Sequence, residues 1–82
     1  MSDSDSKSKL LQALEADKNG QWDEAHQIVQ SMEEKDAYWI HAYLHRKEPD
    51  ISNASYWYRR AGRSLPDTPL DQEWQAIYDA IA

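Results

Sequence analysis

Eighty-two residues without a single cysteine make one small domain and exclude disulfide staples, thiolate nucleophiles and Cys-ligated zinc or iron–sulfur centres. At this size folding hides only somewhat more than ~60% of the unfolded surface, so large side chains must build the core, and four Trp and five Tyr stand in for the missing Phe. The net charge of −6 is uneven: residues 1–38 carry −5, residues 39–63 carry +3 and residues 64–82 carry −4, an overall acidity that argues against general nucleic-acid binding.

In chain order, residues 1–6 are rich in Ser and Asp and read as a disordered tail ahead of a single domain over 7–82. Leu10, Leu11 and Leu14 then recur at helical spacing, with Ala13 and Ala16 between them, and Asn19-Gly20 supplies a left-handed stop. A second helix follows at once. Trp22, Ala25, Val29 and Met32 line one of its faces, and Asp23 and Glu24 sit in its first turn, where they favour the helix dipole.

The stretch DAYWIHAYLHRK, residues 36–47, predicts a third helix. Ile40 and Leu44 share one side, Tyr38, Ala42 and His45 lie nearly opposite, and Trp39 and Tyr43 fill a flank. A helix apolar on more than one side is a central one, packed by several neighbours. Asp50 after Glu48-Pro49 is placed to cap a fourth helix, in which Ala54, Trp57, Tyr58 and Ala61 fall on one face and Gly62 marks the stop. Thr68-Pro69-Leu70-Asp71 predicts the start of a fifth helix, with Thr as the cap and Pro in the first position. Leu70, Trp74, Ile77, Tyr78 and Ile81 form its expected buried stripe. No alternating run suggests a strand, and no apolar run approaches the ~18 residues of a membrane span. With a polar start that lacks an apolar signal core, the expectation is an all-α, five-helix cytoplasmic protein with no membrane partner.

NGQWDEAHQIV and EPDISNASYWY align with Ala25 over Ala54 and Val29 over Tyr58, a weak internal repeat. Ala54, Trp57, Tyr58, Arg59, Arg60 and Ala61 match the A-x-x-W-Y-[RK]-[RK]-A second-helix pattern. Gly20, Trp22 and Ala25 match the turn and helix start more loosely. In these residues the chain resembles tetratricopeptide-like repeats, especially their Sel-like branch, over about residues 9–66. It is also similar to small bacterial proteins. The repeat resemblance implies two antiparallel helix pairs, a C-terminal helix capping the exposed end of the stack, and a protein-interaction scaffold. The equivalent alanines stand 29 residues apart, Pro49 replaces the usual Gly, and His45 takes a position where an aromatic is common. Two units also fall short of the ~3 that a repeat array needs, so the expectation is a compact five-helix domain and not a long concave solenoid.

The candidate binding residues are Trp39, His41, His45, Arg46, Tyr56, Arg59, Arg60 and Arg63. Arg forks suit carboxylate or phosphate, and rings such as Trp39 and Tyr56 can stack on a ligand. The alternative for these arginines and Lys47 is internal pairing with Asp67, Asp71 or Glu73, where the chain folds back. The leading expectation is a non-enzymatic interaction module whose partner is an acidic protein segment or a second copy of the chain. The alternative is a small-ligand or metal-binding protein using His26, His41 and His45 with the neighbouring aromatics. His41 and His45 at i, i+4 share a helix side, a spacing that can hold a metal, and His26 supplies a third ligand if the helices meet. Neither HExxH nor a Gly-rich phosphate loop is present, and Ser52, Ser55 and Ser64 lack a nucleophile-elbow context. The acidic run Glu33, Glu34 and Asp36 reads as a solvated connection, so neither catalysis nor a cofactor is expected.

Overall fold

Short amphipathic stripes separated by glycine and proline punctuation can bury their apolar faces only against one another. A computed structural model describes residues 3–82, with side chains from residue 5 onward. Among the described residues it contains five helices and no strand: α1 (Asp3–Lys18), α2 (Trp22–Gln30), α3 (Lys35–Lys47), α4 (Ile51–Arg60) and α5 (Leu70–Ile81). Of the tail expected over 1–6, residues 1 and 2 lie outside the described residues, and α1 already begins at Asp3.

Two turns follow the sequence closely. Gly20 has φ +81° and Gly62 has φ +76°, the left-handed region that side chains disfavour. Both close a Schellman pattern. Gln21 N–H donates to the Ala16 carbonyl at 2.8 Å, and Arg63 N–H donates to the Tyr58 carbonyl at 2.8 Å. Arg63 therefore lies beyond the end of α4. At the start of α4 the Asp50 carboxylate accepts from Asn53 N–H, as a cap should.

The start of α5 departs from expectation. Pro69, not Thr68, holds the cap position, and its carbonyl accepts from the N–H groups of Gln72 and Glu73. The Thr68 carbonyl accepts from Arg46, so a long-range partner holds the residue just ahead of the cap.

Helix α3 is central. Every residue from Trp39 to His45 is buried, and the helix packs against each of the other four. Its neighbours divide by side. Residues Trp39, Tyr43 and Arg46, spaced i, i+4, i+7, meet partners on α1 and α5. Residues His41 and His45 meet α2 and α4. Helix α5 lies across α1 and α3, with no close backbone approach to α4. Side chains join α5 to its neighbours: Trp74 donates its indole N–H to the Leu14 carbonyl of α1 at 3.0 Å, and the Tyr58 hydroxyl of α4 donates to Glu73.

Candidate functional site

On the α2/α4 side of α3 three imidazoles converge. His26 comes from α2, while His41 and His45 lie one turn apart on α3. One ligand-capable atom from each lies within 4.8 Å of the others. The ring centroids are 4.7 Å apart for His26 and His41, 5.2 Å for His26 and His45, and 5.0 Å for His41 and His45. Two tryptophans wall the group. Trp22 stacks on His26 at 5.0 Å, again an i, i+4 pair, and Trp57 of α4 stacks on His41 at 3.9 Å. Trp22 is itself pinned, because its indole N–H donates to the Leu44 carbonyl at 2.8 Å.

The three rings are bonded differently. His45 Nδ1 meets Glu48 Oε1 at 2.9 Å. An ionised carboxylate only accepts, so Nδ1 is the donor, and in the neutral ring the lone pair then lies on Nε2. His41 is 5% exposed, and its Nδ1 is buried with no hydrogen-bond partner. Burial, reinforced by the neighbouring His26 and His45, lowers the His41 pKa to about 4. The His26 pKa is lowered too, first by burial and then by His45, with Glu48 and Asp23 acting in the opposite direction. His26 and His41 are therefore neutral at pH 7.

The basic residues do not converge on one patch. Arg46 pairs with Glu73 at 2.7 Å, and Lys47 pairs with Asp17 at 2.9 Å, both on the α1/α5 side. Glu73 was foreseen only as one possible pairing partner, whereas it is a buried hub. Its carboxylate also accepts from the Trp39 indole N–H at 3.2 Å and from the Tyr58 hydroxyl. Burial, reinforced by the bond to Glu73, raises the Tyr58 pKa. Trp39 is 6% exposed and its face is covered by the Arg63 guanidinium at 3.4 Å, so the ring is committed inside the molecule. A cleft of about 530 Å³ opens beside Trp39, Tyr58, Arg63 and Glu73, but its carboxylate is occupied by these internal bonds.

Arg60 behaves otherwise. Its guanidinium lies 4.6 Å from the ring centre of Tyr38, 5.0 Å from Trp57 and 5.8 Å from Tyr56. Tyr56 is 47% exposed, and Arg59 beside it is exposed. Among the described residues no carboxylate pairs with Arg59, Arg60 or Arg63.

For three participants the sequence carries signals of a role that spacing alone did not assign. Glu73 sits between Leu70 and Ile77 at i+3 and i−4, a core position on the α5 stripe, and a carboxylate there signals a buried partner. Trp22 precedes His26 by four residues, which announces a shared face. Glu48 follows His45 by three, but its role depends on how the chain leaves α3. No helix among the described residues is long and apolar enough to cross a membrane. Neither a protein-family model, nor a curated protein, nor a solved structure matches this chain.

Proposed function

We propose that this chain is a non-enzymatic helical interaction module, which grips an acidic segment of a partner protein with Arg59, Arg60 and Tyr56. The observation that carries this reading is the Arg60 guanidinium spread over three aromatic rings, without a carboxylate of its own. Tyr, Trp and Arg dominate the energetics of protein interfaces, because they combine a large contact area with directional bonds. A guanidinium held over rings has already lost much of its freedom, so the edge that bonds a carboxylate is pre-organised. The resemblance to tetratricopeptide-like repeats supports the same class of role. Because α5 lies over α1 and α3, the surface left for a partner on this reading is the α3/α4 face.

The test is a titration with a Glu-rich peptide, followed by amide and indole chemical shifts, alongside a Lys-rich control. Expected are shifts at Tyr56, Trp57 and Arg60, salt-sensitive affinity, and loss of binding in an Arg59→Glu/Arg60→Glu variant. Equal response to both peptides, or none, ends this reading. Light scattering separates the other partner: a dimer that the charge reversal dissolves would assign the face to a second copy of the chain. The histidine cluster supports an independent reading, developed next.

A further inference from the structure

We propose that His26, His41 and His45 form a binding site for one divalent late transition metal ion of the zinc, nickel and copper class.

Four observations carry it. First, imidazole nitrogen is the ligand these ions favour, and three imidazoles from two helices present ligand atoms within 4.8 Å of one another. Nitrogens sharing one ion at ~2.0–2.1 Å stand about 3.3 Å apart, so closure brings the ligand atoms together by on the order of an ångström. Second, His45 has the arrangement of a carboxylate-oriented metal ligand: Glu48 Oε1 holds its Nδ1 proton at 2.9 Å, which leaves the Nε2 lone pair available. Third, His41 Nδ1 is buried without a partner, in a residue that is 5% exposed. Native interiors seldom leave such an atom unbonded, and an ion in the cluster is one partner that would satisfy it. Fourth, Trp22 and Trp57 stack on His26 and His41 and fix their ring planes.

Plain packing explains this cluster poorly. Three imidazoles bring six ring nitrogens into a half-buried space, and each one must be solvated or bonded. One nitrogen is bonded to Glu48, and one has no partner at all. The protein's three ligands leave at least one coordination position for water or a small anion, as sites that exchange ligands do.

A second group, His45, Glu48 and Asp50, shares His45 but is exposed at its two carboxylates, and it supplies the control. The experiment uses the full untagged chain, stripped with a chelator, and titrated calorimetrically with Zn²⁺ and separately with Ni²⁺. X-ray absorption is then recorded on the zinc-loaded protein. The expected result is one ion per chain with three imidazoles in its shell. His26→Gln should weaken Zn²⁺ binding by about a hundred-fold or more, Glu48→Gln by about ten-fold, and Asp50→Asn hardly at all. The proposal is overturned by an absence of saturable binding in the wild type, by a shell with fewer than three imidazoles, or by undiminished affinity in His26→Gln. If His26→Gln does not fold, the wild-type stoichiometry and absorption spectrum decide the matter alone.

Discussion

The two sides of α3 both bury polar groups and treat them in opposite ways. Toward α1 and α5, the Glu73 carboxylate takes up Arg46, Trp39 and Tyr58, while Asp17 takes up Tyr43 at 3.1 Å and Lys47 at 2.9 Å. Each buried charge there has an opposite charge and at least one further bond. Toward α2 and α4, three histidines face one another with a single carboxylate bonded to them and one nitrogen unbonded. A satisfied network locks helices in register, and its groups have nothing left to offer a ligand. An unsatisfied one is retained at a cost to stability, which makes it the better candidate for binding.

The largest expected effect tests the satisfied side. Glu73→Ala would strand Arg46 and remove the acceptor of Tyr58 and Trp39, and should cost about 3–5 kcal/mol in urea unfolding. A loss below about 1 kcal/mol would mean that the hub is peripheral.

The next effect comes from the histidine side. His41 holds fewer protons when folded, because its pKa falls to about 4 in the native state. Stability should therefore be complete above about pH 6.5, decline as the pH falls from 6.5 toward 4, and level off below that. Burial is the main cause of that shift, and His26 and His45, packed beside His41, lower its pKa further. The contribution is roughly 3 kcal/mol over that window, at 1.36 kcal/mol per pH unit. Comparing wild type with His41→Gln at pH 7 and pH 5 isolates it from the carboxylates. Parallel pH dependence in the two proteins would remove His41 from this role.

The smallest effect concerns the exposed arginine. Arg60→Ala should stay within about ±0.5 kcal/mol of wild-type stability, because its three ring contacts lie at the surface. A larger loss in thermal unfolding would make Arg60 part of the scaffold and weaken its case as a partner contact.

Much of the fold was legible from spacing. The glycine stops, the Asp50 cap, the all-round burial of α3 and the buried Ala54–Tyr58–Ala61 face follow from local chemistry and helical period. The α5 start was less legible: the cap falls one residue later than the local pattern places it, and the Thr68 carbonyl ahead of it serves Arg46, a residue 22 positions earlier. The expected stripe also included Tyr78, which is 38% exposed, and omitted Glu73, which is 4% exposed. Hydrophobic pattern ranks a carboxylate outside the core, and only partners from other helices reverse that ranking. The candidate site divides the same way. The His41–His45 pairing is a consequence of the helix period, whereas the approach of His26, the Trp57 stack and the separation of Arg46 from Arg60 depend on how the helices meet.

By itself, then, the sequence determined the number and type of elements, their stops, and which residues share a helical face, since these depend on contacts within a few residues. Tertiary structure alone decided that α5 crosses α1 and α3, that Arg46 turns inward while Arg60 stays at the surface, and that three imidazoles meet. Those outcomes are set by which side chains can satisfy one another once water is excluded, and that competition runs between residues far apart along the chain.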